Sequence, residues 1–222
     1  MSLSDTISAD TRYTFTGQYL ESSAIFIRRA RGIEATASTQ TDDATRCEHR
    51  GLVCATIMQC VAALETETHE VCVHGPGSHL GSDGIDHDAQ QFLYPIANVI
   101  DDQNTMARFE LILHLLGKAP LDKGAEPFQS AALLVRLRNE LVHYKSRWGT
   151  QMESSKLYSA LQALRHKPPP FTDPSMNFFP HRCLNVECGE WAISSVVAFL
   201  ESFYSALSVP SRFQDYRARL VP

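Results

Sequence analysis

Between Leu133 and Trp148 the chain reads LLVRLRNELVHYKSRW, and within this stretch Arg136, Asn139, His143 and Arg147 recur at steps of 3, 4 and 4. That spacing lines side chains along one face of a helix. The types are chemically suggestive, because guanidinium forks match phosphate oxygens and an imidazole moves a proton near neutral pH. An imidazole with an amide one turn before it and a cation one turn after it is a set that binds and polarises a phosphodiester. Arg138 lies close by, and Tyr144 and Lys145 follow the histidine directly. Arg136, Tyr144, Lys145 and Arg147 are thus candidate substrate contacts, and a solvated helix face is the bland alternative.

Other chemistries find less support. No G-x-S-x-G hydrolase elbow occurs, and the glycine-rich stretch HGPGSHLGSDGIDHD at 74–88 lacks the G-K-[ST] that a phosphate-cradling loop requires. His69-Glu70 followed by His74 has one residue too many for the zincin H-E-x-x-H, which turns the second imidazole about 140° around a helix instead of about 40°. Cys72, His74, His79 and His87 are residue types that ligate metals, but their spacing fits no ligand pattern, and the segment reads as a mobile surface loop. Cys183 and Cys188, with His181 nearby, read as buried cysteines at the start of a helix. No metal and no cofactor is expected.

The 222 residues carry 44% hydrophobic and 20% charged side chains, which is globular composition and rules out disordered, collagen-like and fibrous classes. A chain of this length buries a core without disulfide or metal staples. The longest charge-free stretch, 51–64, has 14 residues and contains Gln59, which suits a buried helix and not a bilayer span. The opening MSLSDTISAD has no basic segment followed by an apolar one, so no signal or transit peptide is read and a cytoplasmic setting is expected. There Cys47, Cys54, Cys60, Cys72, Cys183 and Cys188 should be reduced thiols. Net charge is −5, yet from Leu134 to Lys167 seven cations face only Glu140 and Glu153, a basic island on an acidic body.

The positioning elements follow from periodicity. Tyr19, Ala24, Phe26, Ile27, Ala30 and Ile33 predict a helix over 18–35, and 36–45 reads as a loop in which Asp42 or Asp43 caps the next element. Val53, Ile57, Cys60 and Leu64 predict a long helix over 46–71. Met106, Phe109, Ile112 or Leu113, and Leu116 place a third helix after Asp101 and Asp102, stopped by Gly117 and Pro120. Pro127 opens a fourth, whose apolar side is Leu134, Leu137, Leu141, Tyr144 and Trp148 and whose end falls near Gly149. A short helix at 154–165 precedes KPPPFTDPSMNFFP, read as an extended strap. WAISSVVAFLESFYSAL is the last helix, buried through Trp191, Val196 or Val197, Leu200, Phe203 or Tyr204, and Leu207, with Cys188, Ala192 and Ser195 small enough for close approach. No run of alternating strand-like residues appears. The expected architecture is all-α, a single helical bundle of about five helices over residues 1–222, with its core at 18–207 and peripheral tails at 1–17 and 208–222.

Arg138-Asn139-Glu140-Leu141-Val142-His143 resembles the R-x4-6-H signature of HEPN domains, in which a polar residue often follows the arginine. The surrounding LRNELVHY looks like that family's motif helix, and FFPHRCLNVECGEWAISSVVAFL is similar to the C-terminal part of bacterial proteins of this kind. The similarity runs loosely over 18–207 and reaches motif grade at 138–143. The resemblance implies a HEPN-like bundle and a metal-independent endoribonuclease, acting as a homodimer, in a toxin–antitoxin, phage-defence or RNA-processing setting with an antitoxin or other protein partner. Carried over, the catalytic residues are Arg138, which stabilises phosphate charge, Asn139, which orients the imidazole, and His143, which shuttles a proton. RNA supplies its own 2′-hydroxyl nucleophile, so acid–base and electrostatic help suffice. Five positions apart on a helix, Arg138 and His143 diverge by about 140°, so the arginine's reach or a composite site across a two-fold axis is needed. The competing reading is a non-catalytic module that uses the same fold for protein contacts. The two readings differ in expectation: the nuclease needs Arg138 and His143 accessible in one cleft, whereas the module buries both in intrachain hydrogen bonds.

Overall fold

In the computed structural model, which describes residues 14–74, 87–145, 155–213 and 220, the organising element is a helix of 32 residues, α2, Asp43–His74. Its start is capped by Asp42, whose carboxylate accepts the backbone N–H of Thr45 at 2.9 Å; that hydrogen bond holds the acid below its usual range. Val53, Ile57, Cys60 and Leu64 are fully buried along it, as their spacing predicts. Helix α1, Thr16–Thr36, lies antiparallel to α2. Pairing runs in opposite order along the two, from His49 with Glu34, through Thr56 with Ser23, to Glu70 with the backbone of Phe15.

Three further pieces follow α2: α3, His87–Leu93; a 3-10 turn at Tyr94–Ile96; and α4, Ala97–Asp101. Then come α5, Thr105–Leu115, capped by the Asn104 side chain on the N–H of Ala107; α6, Phe128–Val142; α7, Lys156–Ala163; and α8, Val186–Leu207. The described residues are helical with no strand. Among the described residues eight α-helices stand where about five are expected, because α3 and α4 are too short to show a full hydrophobic period. Among the described residues no helix is long and apolar enough to cross a membrane.

Helix α8 closes the core against α1 and α2. It approaches so closely that a Cβ on Gly189 would fall 2.2 Å from Ile27 Cδ1, so glycine is the residue the contact requires. Farther along, Phe109 of α5 meets Phe199 and Phe203 edge-on, each at 4.8 Å between ring centres. The core also passes the expected 18–207 boundary. Thr16 and Phe213 are fully buried, and Leu220 is nearly so. A polar clasp explains this: Arg212 pairs with buried Glu67 and, at 2.5 Å, with Glu70, Tyr204 donates its hydroxyl to Glu67, and the N–H of Phe15 donates to Glu70 at 2.6 Å. Burial raises the pKa of Glu67, opposed by the Arg212 charge and the Tyr204 hydrogen bond. Both 1–17 and 208–222 therefore contribute residues that hold α2, and are not simply peripheral.

The proline-rich stretch is turned as well as extended. Phe171 and Phe179 insert into the body, and Phe178–Arg182 forms a wide π turn that leads into α8. That helix starts at Val186, earlier than Trp191, because Asn185 accepts the N–H of Cys188 at 2.7 Å and Glu34 accepts that of Val186 at 3.1 Å.

Candidate functional site

The motif lies on the C-terminal half of α6. The fully buried Leu134 and Leu137 set that helix's inner face, and the 3, 4 spacing then carries Arg136, Asn139 and His143 to the outer one. All three are exposed. The helix ends at Val142, short of Gly149. His143 is the capping residue, at φ −109° and ψ 30°, and its N–H closes on the carbonyl of Asn139 at 2.9 Å. The chain then turns so that the ring of Tyr144 meets Phe179 of the strap at 5.8 Å. This tertiary contact, with Tyr158 of α7 stacked on the same ring at 5.0 Å, replaces the expected continuation of the helix. Lys145 is exposed, while Arg147 and Trp148 lie outside the described residues, as does most of the loop at 74–88 with His79.

Arg138 goes elsewhere. Its guanidinium is turned inward to the carboxylate of Glu65 on α2, and its side chain is only 19% exposed. Glu65 also accepts the hydroxyl of Thr105 at 2.9 Å, so one carboxylate ties α2, α5 and α6 together. Asn139 makes no side-chain hydrogen bond to the His143 ring among the described residues. Glu140, inside the motif, accepts from the Tyr158 hydroxyl at 3.0 Å. The structure thus brings Arg136, Asn139, His143, Tyr144 and Lys145 to the surface at one end of α6 and separates Arg138 from them. Neither of the two opposed expectations for Arg138 and His143 holds for both residues: the histidine is accessible and the arginine is engaged within the chain.

Around this end lies exposed apolar surface, with Val142 at 51% and Tyr144 at 45%. Arg136 also lines a groove of about 340 Å³ between α6 and α7, beside Lys123, Gln129 and Leu164. No ion pair engages Arg136 among the described residues.

The other candidates take structural places. Cys72 is buried on α2 and its thiol is pushed up to about 12, chiefly by burial. His74 belongs to the same helix, and His69 pairs with Asp101 at 2.8 Å. Among the described residues no three His, Cys, Asp or Glu side chains converge as metal ligands. Burial raises Cys183 well above the ordinary thiol range and Cys188 to about 12, so both are neutral thiols. Sequence reasoning missed Glu65. Its only local signal is position, one residue after Leu64 at the edge of the buried face of α2.

No protein-family model matches the chain, and neither a curated protein nor a solved structure does.

Proposed function

We propose that this protein is a metal-independent endoribonuclease of HEPN type that acts as a homodimer. The observation that supports the reading is the exposed row Arg136, Asn139 and His143, which ends in an imidazole open to solvent and flanked by Lys145. Exposed Val142 and Tyr144 supply the apolar surface that a second copy would cover, bringing two histidines around one phosphate. One imidazole takes the proton from a ribose 2′-hydroxyl, the 2′-oxygen attacks phosphorus, and the other imidazole protonates the departing 5′-oxygen. The products are a 2′,3′-cyclic phosphate and a 5′-hydroxyl. Arg136 and Lys145 carry the phosphate charge, and Arg138, held by Glu65, keeps α6 in place. The setting that fits is the cytoplasm, in a toxin–antitoxin or phage-defence system with a protein partner.

A second reading has its own supporting observation. The Arg138–Glu65 pair is what a helical interaction module would retain if the motif arginine were structural. Incubation of the purified protein with total or transfer RNA in EDTA, beside a His143→Ala control and a light-scattering mass, separates the two. Cleavage that survives chelation and is lost in the variant supports the ribonuclease. A folded dimer that leaves every RNA class intact overturns it in favour of the module.

A further inference from the structure

Away from the motif, a cavity of about 330 Å³ opens between the end of α7, the proline-rich strap and the start of α8. Arg165, His166 and Arg182 line it, together with the Gln162 amide, the Phe178 ring and Leu161. Two arginines and no acidic residue are among the residues that line it. Two acids lie nearby but outside its lining, Glu187, which accepts the backbone N–H of Lys167 at 2.8 Å, and Glu190, which pairs with Arg31, and the charge of both reaches His166. Other arginines of the chain, Arg29, Arg108 and Arg212 among them, are paired with carboxylates. Arg165 and Arg182 make no ion pair among the described residues.

Arg165 sits just past the end of α7 at φ 57°, in the left-handed region, where glycine or asparagine is the usual occupant. A long cationic side chain is therefore held at a position that backbone preference would give to a smaller residue, and it faces the cavity. The same conformation ends α8 at Ser208, so it is how both helices stop. At the start of α8, Asn185 and Glu34 accept the N–H groups of Cys188 and Val186. An anion here would be held by side chains. The thiols of Cys183 and Cys188, which also line the cavity, stay protonated and carry no charge into it.

We infer that this cavity binds the phosphate of a small molecule, with Arg165 and Arg182 as paired forks on the dianion and His166 as a third donor. Two guanidinium groups match phosphate oxygens in bidentate geometry. Phe178 and Leu161 offer an apolar wall to whatever the phosphate is attached to. The volume stands at the small end of ligand pockets, which begin near 300 Å³, and suits a phosphate with a ring-sized group better than a polymer. The inference is independent of the ribonuclease reading, because none of these residues belongs to the row on α6.

Titration calorimetry of the full chain with inorganic phosphate, adenosine 5′-monophosphate, adenosine and a 5′-phosphorylated RNA oligonucleotide tests it. Saturable binding of phosphate or the nucleotide, weakened about tenfold or more by Arg165→Gln and by Arg182→Gln, is expected, with none for adenosine. Tighter binding of the nucleotide than of phosphate assigns an organic phosphate, and equal binding assigns the free ion. Arg165 is exposed, so its variant should fold, and its melting curve checks this. Three results would each overturn the inference: no saturation by either ligand up to about 10 mM, binding unchanged in both variants, or binding of the oligonucleotide alone.

Discussion

Glu65 and Arg138 stand 73 positions apart in the sequence and meet across the α2–α6 contact, where the carboxylate of one receives the guanidinium of the other and also the hydroxyl of Thr105. The motif arginine is thereby a joint between helices, while the motif histidine, at the end of α6, faces solvent. A guanidinium already neutralised by a carboxylate attracts a phosphate less than a free one does.

This arrangement predicts coupling in stability. Glu65→Gln and Arg138→Gln should each destabilise the fold by about 1 kcal/mol, discounted from a fully buried pair because the two side chains are 35% and 19% exposed. The double variant should cost less than the sum of the singles. Urea denaturation of the four chains measures the cycle; strict additivity would mean that the contact does not hold α6 to α2.

The same arrangement ranks the cations in any RNA cleavage. Arg136 is exposed and unpaired among the described residues, whereas Arg138 is committed to Glu65. Arg136→Gln should lower the cleavage rate by about a hundredfold to a thousandfold, the range for removing a donor to charge that develops in the transition state. Arg138→Gln should act mainly through lost stability, so its defect should shrink on cooling and track the folded fraction. If the two effects are reversed at equal folded fraction, phosphate binding belongs to Arg138.

Much of this framework was legible in residue spacing, and the rest was not for identifiable reasons. Val53, Ile57, Cys60 and Leu64 predict the buried face of α2 because long helices repeat their pattern over many turns. Arg136, Asn139 and His143 share an exposed face for the same reason. Periodicity says nothing about partners distant in sequence, so Glu65, the Arg212 clasp on Glu67 and Glu70, and the Phe179 contact that ends α6 were invisible. Arg165 falls within the basic island of 134–167, but Arg182 reaches the same cavity from a separate segment, and only the fold joins them.

Thiol chemistry should be confined to one position. Cys47 is exposed, Cys54 is half-buried with its thiol raised by burial, and Cys60, Cys72, Cys183 and Cys188 are buried with theirs raised further. Under native conditions a maleimide or an aromatic disulfide reagent should label Cys47 rapidly and the four buried thiols only on the timescale of unfolding. Mass spectrometry of peptides at successive times reads the order. Early labelling of Cys183 or Cys188 would show that the phosphate cavity opens to its floor.

Two histidines set an acid limit on stability. The Arg50 guanidinium donates to Nδ1 of His181 at 3.1 Å, which requires that nitrogen unprotonated, and burial followed by the Arg50 charge lowers the pKa of His181 below 6.5. Burial likewise lowers His166, against the opposing pull of Glu187 and Glu190. In both cases the unfolded chain takes up a proton at a higher pH than the folded one. Stability from these groups is therefore fully present above about pH 6.5 and falls as pH drops through the lowered folded values, with no further loss below them. Urea midpoints at about pH 7.5 and about pH 5.5 should fall more for the native chain than for His181→Gln, whose amide oxygen can still accept from Arg50 without titrating. An equal drop in both chains would remove His181 from the acid response.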